Sequence, residues 1–285
     1  MKKILTLVVI AAMAATLALT AAAADVIYSN DFESGFDAEN WHLGTGAPIV
    51  ADGLLKLGST GTWTADAGVT YNQAIVNYEL AFDYTSNNQD CYSGFGLRVP
   101  ADKAAGSLYN GGRNDIPSAT ETGYGISIDV GSKGTDCANS FVVSFNYGEH
   151  GQSPNYKVAY PEGFTGGAGS IKVVDSGDAI VIYLNDAELT KITFTASDDV
   201  NYTAATAYVG DAEVFSGEVT VAKEGGFSFY QRNNTLTIDN VVVTALEAGG
   251  EGDDAPETAD AAVIVVAMVA AIALAGAVVC KKANA

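Results

Sequence analysis

Apolar and polar residues alternate along most of this chain with the period of two that marks a half-buried β-strand. Residues 75–84 set Tyr78, Leu80, Phe82 and Tyr84 on one side of an extended segment and Glu79, Ala81 and Asp83 on the other. The same pattern predicts strands over 26–28, 92–99, 124–130, 141–147, 156–160, 171–174, 225–230 and 236–244. Two hairpins are legible. Residues 49–57 turn at Asp52-Gly53, a pair that supplies the positive φ angles of a tight turn. Residues 176–194 form two alternating runs around Asn185-Asp186. Residues 30–44 read as a turn-rich segment around Phe32, Phe36 and Trp41, and 195–224 as a variable region. A polar stretch over 100–123 has the length of a functional or irregular loop. No stretch before residue 260 sustains a helical period, so the expected fold class is all-β, a β-sandwich of about a dozen short strands.

The two ends break this pattern. Lys2 and Lys3 precede an apolar run over 4–20 and the small residues Ala22-Ala23-Ala24, the layout of a secretory signal peptide over 1–24. Residues 247–260 are an acidic, glycine-rich linker. Residues 261–280 hold no charge, and as a helix they would be about 30 Å long, the thickness of a bilayer's hydrocarbon core. Lys281 and Lys282 open a short cytoplasmic tail, 281–285. The β domain, 25–246, is therefore expected outside the cell, held at its surface.

Charge narrows the partners. The chain carries 34 acidic and 14 basic residues, a net charge of −20. Lys2, Lys3, Lys281 and Lys282 belong to the ends, so the β domain is more acidic still and is a poor match for a phosphate backbone. Cys91 and Cys137 lie in a compartment that permits a disulfide. Paired, they close a loop of about 46 residues worth roughly 4 kcal/mol; two buried thiols are the alternative. Cys280 reads as a small apolar residue of the span, and there is no Cys/His cluster for zinc.

Catalytic motifs are missing. Glycan hydrolysis needs two carboxylates across the scissile bond, and no Glu-x-Asp-x-x-Glu strand occurs. Asp129 has no acidic neighbour two residues away. His42 and His150 read as surface or structural residues. For ligand contact the candidate aromatics are Trp41, Tyr71, Tyr92, Trp63 and Tyr109. Packing in a strand or the core is the favoured reading of each, with Trp63, in its polar, turn-like setting, the exception, followed by Tyr109 and Arg113 in the long loop.

Two resemblances extend this reading. The opening Asn30-Asp31-Phe32-Glu33-Ser34-Gly35 with Trp41, the Asp52-Gly53-Leu54-Leu55 turn, the 78–83 strand, the 177–185 hairpin and the close Ile238-Asp239-Asn240-Val241 follow one another as in the concanavalin A-like jelly rolls. Over most of 25–246 the chain resembles that group, which includes laminin G-like domains and the domains named for 3-keto-disaccharide hydrolysis. The resemblance implies a jelly-roll sandwich that binds carbohydrate or protein, with glycoside processing as the enzymatic alternative. It also implies a structural calcium held by Asp31, Glu33 and Asp239, the alternative being that Asp239 and Asn240 only shape a turn or bulge. Second, Ala255-Pro256-Glu257-Thr258-Ala259, the apolar run and the lysines resemble a sortase sorting signal of Gram-positive bacteria, with Ala at both ends of the pentapeptide where the family has Leu and Gly. That layout implies either cleavage after Thr258 and attachment to the cell wall, or a plain membrane anchor. The expected function is non-catalytic carbohydrate binding at the cell surface; the alternatives are a glycoside hydrolase and an adhesin for a host or cell-surface protein.

Overall fold

The computed structural model describes residues 25–37, 39–43, 48–58, 67–87, 93–99, 125–130, 137–145, 154–231 and 235–246. The expected signal peptide, linker, pentapeptide, apolar span and tail lie outside this set, as do Trp63, Cys91, Tyr109, Arg113 and His150.

All regular elements among the described residues are strands, numbered here in chain order, and they form two antiparallel sheets. The larger sheet runs β15 (Ala212–Ala222), β14 (Asn201–Val209), β13 (Ala187–Ser197), β12 (Ala179–Leu184), β11 (Ala168–Asp175), β6 (Tyr78–Ser86), β17 (Leu236–Ala245), β4 (Leu54–Leu57) and β3 (Ile49–Ala51). Beside β4, β17 also pairs β1 (Val26–Asn30). The smaller sheet runs β10 (Asn155–Ala159), β9 (Ser140–Phe145), β8 (Ile126–Asp129), β7 (Ser93–Val99), β16 (Gly226–Gln231), β5 (Ala67–Tyr71) and β2 (Trp41–Leu43). The chain changes sheet repeatedly, and among these crossings are those from β6 to β7 and from β16 to β17. These two lie side by side, because β6 neighbours β17 in one sheet and β7 neighbours β16 in the other.

The alternation read from the sequence is what builds these strands. Tyr78, Leu80, Phe82 and Tyr84 on β6 are all buried, while the residues between them stay half-buried. Both hairpins turn where expected: Asp52 and Gly53 adopt φ of 58° and 67°, Asn185 and Asp186 of 48° and 66°. Four strands were not anticipated. β2 is three residues long, too short for a period to show, and β5 is a short strand of small residues except Val69 and Tyr71. β14 and β15 occupy the region read as variable: the middle of β14 is Ala and Thr, with little contrast in hydropathy, and most of β15, at the sheet's edge, is exposed.

The sheets pack face to face as a β-sandwich, and rings from both meet in the core. Phe82 on β6 lies 5.2 Å from Phe95 on β7 and 4.8 Å from Phe229 on β16, centroid to centroid. Phe145 on β9 lies 4.9 Å from Phe215 on β15. Trp41 and Tyr71, candidates for a ligand whose favoured reading is packing, are strand residues only 3% exposed within this core. The hydrophobic payload of large rings outweighs the polar setting in which they sit along the sequence.

An ion pair crosses the sandwich. A bulge at Arg98, whose φ is 53°, turns its side chain towards the larger sheet. Its Nε and Nη2 donate to Asp175 on β11 at 2.8 and 2.6 Å, and Nη2 also donates to the Gly177 carbonyl. The guanidinium carbon sits 4.6 Å from the Phe194 ring and 4.9 Å from the Tyr202 ring. Burial alone would lower the Arg98 pKa; the hydrogen bonds and charge of Asp175 reverse that and leave it raised.

Cys137 is fully buried, disulfide-bonded, and packed with Val142 of β9. Peptide mapping of the unreduced chain is expected to recover one cross-linked pair, Cys91 with Cys137. Recovery of Cys91 as a free thiol would exclude that pairing.

Candidate functional site

The two faces of the smaller sheet differ sharply in chemistry. Across the strands in register, Val69, Phe229, Phe95, Ile128, Val143 and Tyr156 form one lateral line, and all belong to the core. The line one residue along points the other way, since successive strand residues alternate sides. It reads His42, Thr70, Ser228, Gly96, Ser127, Ser144 and Asn155, one residue from each of the seven strands. Six of these are small or polar hydrogen-bonding side chains and the seventh is glycine. With strands about 4.8 Å apart the line spans about 29 Å.

Its ends, His42 and Asn155, are half-buried, and its middle is buried. Burial of a hydroxyl normally requires a partner. The Oγ atoms of Ser144 and Ser228 are buried and have none.

A second line on the same side reads Tyr230, Gly94, Asp129, Val142 and Lys157. Tyr230 on β16 and Asp129 on β8 flank β7, and the Tyr230 hydroxyl donates to Asp129 Oδ1 at 3.0 Å. Gly94 lies between them, so no side chain blocks that bond. Asp129 is the only carboxylate among the described residues of this face. The hydroxyl line went unrecognised in the sequence although its pieces, Ile-Ser-Ile and Phe-Ser-Phe, were on view. Only the strand order brings positions 42, 70, 228, 96, 127, 144 and 155 together.

A cleft of about 560 Å³ lies elsewhere, at the end of β1. Its walls are Tyr28, Ser29 and Asn30 of β1, Asp31 and 34–37 of the following loop, and Asn240 to Val242 of β17. The loop is shaped by its own side chains. Asn30 Oδ1 accepts the Phe32 N–H at 2.7 Å and Asp31 Oδ1 the Glu33 N–H at 3.1 Å, which holds buried Phe32 at a φ of 57°. On the other wall a β-bulge between Asp239 and Val242 puts Asn240 at a φ of 52°.

The three residues expected around calcium are distributed unevenly. Asp31 lines the cleft, whereas Glu33 and Asp239 are not among its lining residues. The Glu33 carboxylate lies against Gly53 of the β3–β4 turn, and Asp239 Oδ1 accepts the Asn240 N–H at 2.7 Å. Among the described residues no three His, Cys, Asp or Glu side chains gather in a way that could hold a metal ion.

No family model and no curated protein matches the chain. Among solved structures it is similar to the carbohydrate binding module CBM66 from Bacillus subtilis, at 15% identity and a TM-score of 0.44, over 72% of this chain and 96% of that one. It is also similar to the Emp47p carbohydrate recognition domain, at 12% identity and a TM-score of 0.47, over 78% and 97%. A third is the catalytic domain of an endo-1,3-beta-glucanase (laminarinase) from Thermotoga petrophila, at 11% identity and a TM-score of 0.48, over 79% and 99%. At these identities and scores the likenesses assign neither ligand nor reaction.

Proposed function

We propose that the chain is a carbohydrate-binding protein and that its glycan enters the hydroxyl line of the smaller sheet from its half-buried ends, His42 and Asn155, and reaches the buried hydroxyls between them. The observation that carries this reading is the pair of buried, unpartnered hydroxyls of Ser144 and Ser228 within a line of hydrogen-bonding side chains. A glycan offers hydroxyls that both donate and accept, and so satisfies such groups without bringing charge. Binding without cleavage is the preferred form. Hydrolysis uses two carboxylates on one face, and the described part of this face supplies Asp129 alone. We place the domain at the cell surface, carried by the apolar span 261–280.

The test is a glycan array with the purified full chain and its Ser144→Ala/Ser228→Ala double variant. A hydrogen bond to a ligand is worth about 1.4 kcal/mol, so the double variant is expected to bind at least about tenfold more weakly. Each substitution also removes an unsatisfied buried hydroxyl, so the melting temperature should hold or rise. Unchanged binding, or a fall in melting temperature, would overturn the assignment of these hydroxyls to a ligand.

A further inference from the structure

We propose that the cleft at the end of β1 is a second saccharide site, separate from the hydroxyl line, and that it takes a sugar bearing a free amine. The hydrogen bonds of Tyr28 are the starting point. Its phenolic oxygen accepts the Trp41 Nε1–H at 2.7 Å and the Asn30 Nδ2–H at 3.0 Å. Indole nitrogen only donates. The orientation of the Asn30 amide is fixed as well, because its Oδ1 takes the Phe32 N–H at 2.7 Å, which leaves Nδ2 for Tyr28. Both lone pairs of the Tyr28 oxygen are thus occupied by donors, and its own proton has no acceptor among the described residues. Tyr28 is 8% exposed and lines the cleft. A buried donor without a partner costs free energy, and a ligand oxygen in the cleft would remove that cost.

The remaining groups specify the ligand's character. Asp31 and Asp37 line the cleft, and no Lys, Arg or His does. Asp31 Oδ2, the Ser34 hydroxyl and Asn240 Oδ1 make no hydrogen bond among the described residues and are left to accept. Phe36 supplies an aromatic wall, packed on Trp41 at 5.9 Å. The occupant must therefore offer one acceptor to Tyr28, several donors and a positive charge to the carboxylates, and a C–H face to Phe36. An unacetylated amino sugar meets all three demands. A bare cation does not, since the Tyr28 proton points positive charge at it and the phenol has no free lone pair. The cleft's volume is in the usual range for small-molecule sites, roughly 300–1,000 Å³.

The experiment is ligand-observed NMR and calorimetry of the full chain with glucosamine, N-acetylglucosamine, glucuronic acid and free lysine at about pH 6, where the amine is protonated. Glucosamine is expected to bind about tenfold more tightly than N-acetylglucosamine, with glucuronic acid excluded. That preference should shrink severalfold between about 20 and about 500 mM salt. Asp31→Asn keeps the Oδ1 acceptor and removes the charge of an exposed residue; it should cost glucosamine about tenfold at an unchanged melting temperature. Tyr28→Phe should weaken both sugars together. Equal affinity for the two sugars would overturn the proposal, and so would indifference to Asp31→Asn or lysine binding as well as glucosamine. A calcium-dependent rise in melting temperature that disappears in Asp31→Asn, without sugar binding, would make the cleft a cation site instead. Array binding of long neutral glycans reports on the hydroxyl line alone, so failure at one site is distinguishable from failure at the other.

Discussion

Asp175→Ala is expected to destabilise the domain by about 3–5 kcal/mol, the cost of leaving a buried guanidinium without its counter-charge. Arg98 is 1% exposed and Asp175 2%, so water cannot take over the lost bonds. Of the guanidinium nitrogens, Nη1 already lacks a partner, and removal of Asp175 would strip Nε as well and leave Nη2 with the Gly177 carbonyl. For a domain of this size that is a fall in melting temperature of roughly 10 °C or more, readable by calorimetry. The double replacement Arg98→Met/Asp175→Leu should recover most of the loss, because two apolar side chains need neither charge nor partner. A single variant that melts like the parent would show that the pair is not closed off from solvent.

Gly94→Ala should have an effect of similar or greater size, from a different cause. A Cβ on Gly94 would lie 1.8 Å from the Ile128 carbonyl oxygen and 2.9 Å from its carbon. Both atoms belong to the β8 backbone, which is held in the Gly94–Asp129 register and cannot step aside without opening the β7–β8 ladder. Loss above about 4 kcal/mol, seen as failure to accumulate folded protein, is the expected outcome. Gly35→Ala is the control. Its φ of 97° disfavours a side chain, but a Cβ there meets nothing within 4 Å, so the cost is confined to about 1 kcal/mol of backbone strain. Equal behaviour of the two variants in a chemical-denaturation series would refute the steric account.

Local patterns in the sequence were enough to define the fold class. Alternation located most strands, and Asp52-Gly53 and Asn185-Asp186 located two turns, because both signals are written in neighbouring residues. The functional surface was not legible in this way. Ser144 and Ser228 belong to the same lateral line only because β9 and β16 lie in one sheet with β8 and β7 between them. Arg98 and Asp175 are 77 residues apart, and nothing near either announces the other. Trp41 and Tyr71 pack in the core, the favoured reading for tryptophan and tyrosine, although the short strands that carry them are embedded in polar sequence and look like loops. The cleft depends on the Asn240 bulge, whose dipeptide Asp239-Asn240 reads equally well as a turn.

The pairing of β1 with β17 sets the order in which the sandwich can be completed. Asn30 lies opposite Val241, and the Asp25 carbonyl accepts the Ala245 N–H at 2.8 Å, so the first described strand waits for the last. During synthesis, residues 26–30 emerge with no edge to join until more than two hundred further residues have followed. Closure of so long a loop makes folding slow and concentrates it late. An apolar, unpaired β1, with Val26 and Ile27 exposed even in the finished fold, is therefore the segment most in need of a holding partner while the chain is being made.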